Sequence, residues 1–298
     1  MSIHQVYTNG RFGLSFELFP PKTPESEAMM WRTVEELMAF HPAMITCTYG
    51  AGGSTRSTTL DVIDGVRSRY NVPVASHLTC VGSTTDELRE YLAAARTRGV
   101  AAIVALRGDP PKGETQFQQV AGGLRHASEL VSLIRSEFPE FGICVAGYPE
   151  THQEAASPAA DLENLKRKCD AGGEVVVTQL FYDNVDFFRF RDRCIAMGIT
   201  APIVPGVMPV TNYAQVRRIA TLCKARLPDD FTRAFEAAGD NEVAQFEAGV
   251  GFAARQVEAL LESGVPGIHF YVLNKSPATM RVLEYVGLKD RQTETSQI

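Results

Sequence analysis

Eight short apolar runs rich in β-branched residues lie at 13–19, 44–48, 73–79, 101–106, 142–147, 175–181, 202–207 and 267–273. They alternate with stretches of helical periodicity, and this alternation limits the possible folds more than any other feature of the chain. Nearly continuous apolar runs are what strands buried on both faces look like, and such strands form a parallel sheet covered by helices. Segments 25–40, 57–70, 84–98, 124–138, 159–171, 185–197 and 212–226 fill the first seven intervals with helix, and 276–286 closes the series. Eight such units predict an α/β fold of the closed (β/α)8, or TIM, barrel type. The chain of 298 residues accommodates one, since such barrels commonly take about 250. The seventh interval is longer and holds two extra helices before the last strand, near 229–238 and 242–263, separated by Gly239-Asp240-Asn241. They read as an insertion, so a single domain is expected over 1–298, with the polar residues 289–298 as a frayed tail. Thr84 with Glu87 forms a capping-box pattern before Leu88, marking the start of one helix.

The net charge of −6 argues against a general affinity for nucleic acid or an anionic membrane, both of which rely on a dominant basic field. No apolar run is long enough to span a bilayer, and residues 1–12 lack the apolar core of a secretory signal, so a cytoplasmic protein is expected. The six cysteines are widely spaced, with no Cys-x-x-Cys pair and no neighbouring histidine in a ligand pattern. They read as small packing residues, and no metal site is predicted.

In a barrel the positions that carry chemistry are those where each strand gives way to its loop at the C-terminal face. Here they are polar: Glu17, Thr48-Tyr49, His77, Arg107-Gly108-Asp109, Tyr148, Gln179, and Tyr271 with Asn274-Lys275. Ordinary loop polarity accounts for part of this, and a lone histidine such as His77 is more often a satisfied core residue. Glu17 is different, because it sits inside the apolar run Ser15-Phe16-Glu17-Leu18-Phe19-Pro20-Pro21, where ionisable residues are strongly disfavoured. Strand alternation puts Ser15, Glu17 and Phe19 on one face, and the two prolines end the strand just after the carboxylate. Two local patterns carry little by themselves. Arg107-Gly108-Asp109 matches an adhesion tripeptide but follows a buried strand. Gly50-Ala51-Gly52-Gly53 lacks the spacing of a dinucleotide fingerprint, though it offers backbone amides to a phosphate or flavin edge. On the helix after the fifth run, Leu162, Leu165 and Cys169 form an apolar stripe. Asp161, Asn164 and Lys168, with Arg167, form a polar one, open to reading either as a solvated face or as a strip for ribose hydroxyls and phosphate.

These motifs, taken in order, resemble the methylenetetrahydrofolate reductase family over nearly the whole chain. The resemblance rests on Phe16 to Pro21, Thr48 to Arg56, His77-Leu78-Thr79-Cys80, Ala105 to Pro111, Tyr148-Pro149-Glu150-Thr151-His152, Asp161 to Lys168, Thr178 to Asp183 and His269 to Asn274. It implies an eight-stranded barrel that binds FAD without a Rossmann domain. The implied reaction reduces 5,10-methylenetetrahydrofolate to 5-methyltetrahydrofolate with NADH or NADPH, by ping-pong hydride transfer through the flavin. The same resemblance makes Glu17 the general acid toward folate N10 and Asp109 the carboxylate beside flavin and folate, with Gln179 contacting both substrates. It makes Thr48, Tyr49, Ala51, His77, Arg107, Gly108, Asp109, His126, Ala127, Tyr148, His152, Ala155, Asp161, Asn164, Arg167 and Lys168 flavin contacts. Gln215, Ile219 and Lys275 fall at substrate positions. Two of these depart from the family pattern, Ile219 standing where some members carry a stacking aromatic and Lys275 where some carry an arginine. A proton donor in a partly shielded pocket is expected to have a raised pKa. Because the barrel consumes the chain, control by an added regulatory domain is not expected; a homo-oligomer is left open. The rivals are another flavin-linked β/α barrel, such as a proline dehydrogenase, and a catalytically silent flavin- or folate-binding protein.

Overall fold

All the strands run parallel in one sheet in the computed structural model of the chain, which describes residues 3–8, 12–49, 56–110 and 117–288. The strands are β1 (Gly13–Leu18), β2 (Met44–Cys47), β3 (Val74–Thr79), β4 (Ala102–Leu106), β5 (Gly142–Gly147), β6 (Val175–Thr178), β7 (Ile203–Val204), β8 (Gly206–Val207) and β9 (Gly267–Tyr271). Their order is β7-β6-β5-β4-β3-β2-β1-β9-β8. Among the described residues there are thus nine strands where eight runs were predicted, because Pro205 breaks the seventh run in two. Proline has no N–H for the ladder, although its carbonyl still accepts from the His269 N–H at 3.0 Å. Ile203 and Val204 pair with β6 on one side, and Gly206 and Val207 pair with β9 on the other. Both edges of the sheet therefore lie on one continuous stretch of chain, and the barrel closes through it.

Helices α2 (Pro24–Met38), α3 (Arg56–Tyr70), α4 (Thr85–Thr97), α5 (Ala127–Glu137), α6 (Pro158–Asp170), α7 (Asn184–Ala196) and α8 (Tyr213–Cys223) occupy the seven predicted intervals. The insertion supplies α9 (Asp229–Ala238) and α10 (Glu242–Glu262), and α11 (Pro277–Tyr285) follows β9. Capping chemistry sets several of the starts. The Thr84 side chain accepts from the Glu87 N–H while Glu87 reaches back, and Thr23 and Ser26 do the same ahead of Pro24. Leu14, Phe16 and Leu18 of β1 are fully buried in one cluster with Met30, Val34 and Leu37 of α2. Each such side chain contributes about 1.5–3 kcal/mol by leaving water.

One short helix has no counterpart among the predicted elements. The chain forms α1 (Ile3–Val6) ahead of β1. Ile3, Val6 and Tyr7 are buried against Met44, Ala75, Ala102, Cys144, Val175 and Val204. Those partners stand at or near the N-terminal ends of their strands, so α1 and Tyr7 plug the barrel floor, opposite the loops that carry the polar strand ends.

Candidate active site

Alternation along β1 sends Leu14, Phe16 and Leu18 outward to the helices and Ser15 and Glu17 into the barrel. Parallel pairing then decides their neighbours. Ser15 is level with Met44 on β2 and His269 on β9, and Glu17 is level with Thr46 and Tyr271. The Glu17 side chain is 6% exposed. One of its carboxylate oxygens lies 3.2 Å from His77 Nε2 and 3.7 Å from His269 Nε2. Burial pushes this carboxyl up, but the imidazoles of His77 and His269 outweigh it and hold Glu17 down to about 2. The raised value expected from enclosure alone is therefore reversed: the pocket is shielded, yet lined by two bases that favour the carboxylate.

Strand spacing indicated Glu17 and His77, but Ser15 and His269 went unassigned as site residues. Ser15 Oγ and His269 Nδ1 are 2.9 Å apart, and both side chains are buried. The available signal was that Ser15 shares a face with Glu17; its partner, 254 residues away, emerges only from the β1–β9 register. Tyr271 donates its hydroxyl to the Thr178 carbonyl at 2.6 Å, so its ring spans from β9 to β6 across the mouth. Burial, followed by the Glu17 charge, pushes this phenol well up, keeping it a neutral donor. Asn274 accepts from the Phe19 N–H at 2.9 Å and donates to the Phe19 carbonyl at 2.8 Å, pinning the chain just beyond Glu17 to the loop after β9.

A second group of polar residues lies at the ends of β4 and β5. Gly108, at φ +87, turns the chain between Arg107 and Asp109, and an added Cβ there would meet Val81 Cγ1 at 2.5 Å. Arg107 grips Glu154 in a two-bond fork, both bonds 2.7 Å, and lies over the Phe117 ring. Asp161 accepts from the His152 N–H at 2.9 Å, and His152 meets the Tyr148 ring edge-on, 4.6 Å between centroids. Lys168 donates to the Ala146 carbonyl on β5 at 2.5 Å. Burial pushes its ammonium down to about 8, with the Asp161 charge opposing. The same enclosure pushes the Tyr148 hydroxyl up, reinforced by Asp109 and Asp161, and pushes His152 down, reinforced by Arg107. The polar stripe of α6 therefore divides. Asp161 and Lys168 face β5 and its loop, whereas Asn164 and Arg167 bond each other at 3.1 Å and are exposed.

The remaining predicted residues are distributed around the same rim. Thr48, with its carbonyl accepting from Thr59, and Tyr49, edge-on to Tyr91, follow β2. His126 and Ala127 open α5, where the His126 carbonyl lies 3.6 Å from Cys80 Sγ at the end of β3. Ala155 donates its N–H to the His152 carbonyl, and the Gln179 side-chain oxygen accepts from the Leu180 N–H just past β6. Ala51 lies outside the described residues, as does the rest of the glycine-rich stretch 50–53. Gln215, Ile219 and Lys275 line one cleft of about 240 Å³, together with Met208, Val210 and Tyr271. Tyr271 thus joins that apolar cleft to the Glu17 pocket. Two buried hydroxyls, Thr46 Oγ1 and Thr79 Oγ1, have no hydrogen-bond partner among the described residues. Thr46 is level with Glu17, and Thr79 lies two residues beyond His77 toward the mouth. Buried hydroxyls normally find a partner, so both are available to a ligand.

Among the described residues no helix is long and apolar enough to cross a membrane. All six cysteines are free. A solved structure of an uncharacterized protein from Clostridium thermocellum, titled as binding two copies of 5-methyl-5,6,7,8-tetrahydrofolic acid, shares the fold. Its TM-score is 0.64 and its identity 14%, over 96% of this chain and 99% of that one. Sequence likeness goes further. The chain is 38% identical to the 5,10-methylenetetrahydrofolate reductase of Escherichia coli (strain K12), over 94% of this chain and 92% of that protein. It is also 38% identical to methylenetetrahydrofolate reductase (NADH) 1 of Arabidopsis thaliana, over 97% of this chain and 50% of the plant protein. The chain thus spans about half the length of the plant relatives it matches. A family profile described as methylenetetrahydrofolate reductase matches residues 2–287, and with these relatives it establishes that the chain belongs to the methylenetetrahydrofolate reductase family.

Proposed function

We propose that this chain is a single catalytic barrel that reduces 5,10-methylenetetrahydrofolate to 5-methyltetrahydrofolate in the cytoplasm. NADH or NADPH is the reductant, and FAD is the bound carrier. The observation that carries the proposal is Glu17, a buried carboxylate at a strand end with an imidazole 3.2 Å away, opening through Tyr271 into an apolar cleft. Ring opening of the substrate needs a proton at N10 before a hydride can be accepted, and that is the chemistry of a positioned acid.

Glu17 enters the reaction as a carboxylate, since its neighbours hold it at about 2. To act as the acid it must first take up a proton, and His77 Nε2 and His269 Nε2, 3.2 and 3.7 Å from one of its oxygens, are the groups within reach. That proton then passes to the folate nitrogen, which restores the carboxylate; a fresh proton must reach Glu17 before the next turnover. Asp109, exposed at the mouth, adds a negative charge where the opened folate becomes cationic. Gln215, Ile219 and Lys275 would hold the folate ring and tail in the cleft they line, and Gln179 would contact both substrates.

The residues present fit a flavin. Arg107, Lys168 and Arg167 provide cationic groups, Asp161 and Asn164 provide partners for hydroxyls, and Thr46 and Thr79 provide buried hydroxyls without partners. His77, Tyr148, His152 and the rim residues Thr48, Tyr49, Gly108, His126, Ala127 and Ala155 would complete its contacts. When bound, FAD supplies a site that takes a hydride from the nicotinamide and later yields it to the folate. Anaerobic titration tests the reading: a nicotinamide should bleach the yellow protein, 5,10-methylenetetrahydrofolate should restore the colour, and proline should do nothing. A colourless protein that binds no flavin, or recovery with proline, would overturn it.

Lys168 makes the cofactor interaction pH-dependent. Its ammonium is charged below about 8 and neutral above, so attraction for an anionic cofactor is full below that value and is lost as pH rises through it. Flavin fluorescence titrations between about pH 7 and 9 are expected to show weakening affinity, and Lys168→Met should flatten the curve at the weaker value.

A further inference from the structure

The seam between β1 and β9 continues past the point where its backbone pairing stops. The last paired residues are Glu17 and Tyr271. Along this seam the Gly13 N–H donates to the Pro266 carbonyl. Continuing that register in steps of two would bring the Phe19 N–H to the Val272 carbonyl and the Phe19 carbonyl to the Asn274 N–H. β9 turns away first: Leu273 and Asn274 both stand in the left-handed region, at φ +50 and +54. The Val272 carbonyl accepts from the Lys275 N–H instead, at 2.8 Å. The Asn274 side chain then supplies what the backbone no longer offers. Its oxygen accepts from the Phe19 N–H at 2.9 Å, and its amide donates to the Phe19 carbonyl at 2.8 Å. A carboxamide has the acceptor and the donor of a peptide group, and asparagine also tolerates a left-handed backbone. From the helix side, Thr33 on α2 donates its hydroxyl to the Asn274 carbonyl at 3.0 Å.

We propose that Asn274 is a positioning residue for Glu17: its carboxamide extends the β1–β9 ladder past the acid and so keeps Glu17 away from a frayed strand end. Without that amide the ladder to β9 would end on Glu17 itself. On the β2 side it goes only one residue further, to the Leu18 carbonyl, which accepts from the Thr48 N–H at 2.9 Å. Strand ends open more readily than strand interiors. Pro20 and Pro21 follow at once and have no N–H with which to make up the loss. The same clamp ties the cleft to the acid, because Tyr271, Leu273 and Lys275, on either side of Asn274, line that cleft. A reacting group displaced by about 1 Å can lose much of its effect, so the clamp matters most to the step that uses Glu17. That consequence rests on the function proposed above; the extended ladder does not.

The test reads the ladder and the reaction separately. Asn274→Gly removes the carboxamide and leaves a residue at ease with the same left-handed backbone. Amide-resolved hydrogen exchange on the purified protein reports the ladder. In Asn274→Gly the Phe19 amide, and the Glu17 amide behind it, should exchange about tenfold faster than in unmodified protein, while amides at the start of β1 keep their rates. Anaerobic stopped-flow absorbance reports the reaction. Reoxidation of reduced enzyme by saturating 5,10-methylenetetrahydrofolate should slow about tenfold, with reduction by saturating nicotinamide within about twofold of its original rate. Thr33→Val controls for a merely structural role, since it cuts a comparable bond to Asn274 from the helix side. It should lower Tm and leave the ratio of the two half-reactions alone. Unchanged exchange at Glu17 in Asn274→Gly overturns the proposal whatever the substrate. Faster exchange with no loss of rate or with equal losses in both half-reactions, or the same selective slowing in Thr33→Val, overturns the link to the acid alone. A protein that no nicotinamide bleaches sinks the function proposed above, and the exchange rates still decide the ladder.

Discussion

Glu17→Gln is expected to slow folate reduction about 10³-fold while leaving reduction of the bound flavin by NADH or NADPH close to its original rate. The amide has the carboxylate's shape and still hydrogen-bonds His77, but it has no proton to pass on. General acids contribute roughly 10²–10⁴ to a rate, and the position of Glu17 favours the upper half of that range. At 6% exposure the pocket admits little water to replace the missing acid. Hydride transfer from the nicotinamide requires no protonated folate nitrogen, so that half-reaction should not feel the change. Anaerobic stopped-flow absorbance follows each half-reaction separately. Equal losses in both would mean that Glu17 shapes the pocket rather than supplying a proton.

The largest structural effect is expected from a single methyl group on α10. Gly249 lies against the backbone of Val210, and a Cβ there would sit 1.6 Å from the Val210 carbonyl oxygen and 2.8 Å from its carbon. Backbone cannot swing aside as a side-chain end does. Gly249→Ala must therefore move α10 away from the segment between β8 and α8 or push residue 210 into the cleft it lines with Ile219. Overpacking of this kind costs about 3 kcal/mol at the upper end of its usual range. Thermal melting should show a clear fall in Tm, and the KM for the folate should rise because the cleft wall has moved. Gly251, two residues on in the same helix, is the control. A Cβ there meets only Arg255 Nη1, at 3.6 Å, so Gly251→Ala should be neutral or stabilise by up to about 1 kcal/mol through helix propensity. A Gly249→Ala protein that melts like the unmodified one would show that α10 has slack in it.

Much of the barrel was legible because its signals are local. The apolar runs and their intervals located the strand layers, and Thr84 with Glu87 marked the start of α4 to the residue. The seventh run was misread as one strand because apolar content outweighed the missing N–H of Pro205. Only pairing, with β6 before the proline and β9 after it, reveals the break. Helix α1 escaped notice for another reason. Four residues carry too little periodicity to stand out, and Ile3 and Val6 acquire their meaning from the floor they fill.

The candidate site divides along the same line. Glu17 was visible as a charge inside an apolar strand, and the strand-end rule gathered His77, Asp109, Tyr148 and Gln179 around it. His269 was not visible as its partner, nor Ser15 and Tyr7 as the hydroxyls behind that histidine, since hydroxyls and imidazoles in buried runs read as packing until the register shows what they touch. The sign of the Glu17 shift was also beyond the sequence. Burial and neighbouring bases act on a carboxyl in opposite directions, and the outcome depends on distances such as the 3.2 Å to His77.

The sequence by itself determined that this chain alternates strand and helix around a barrel, and that a carboxylate stands at the end of its first strand. Periodicity, caps and an out-of-place charge act over a few residues and can be read along a line. The tertiary structure alone decided which bases meet that carboxylate and where the barrel closes. Those depend on contacts across as many as 254 residues of chain, for which the linear sequence carries no local mark.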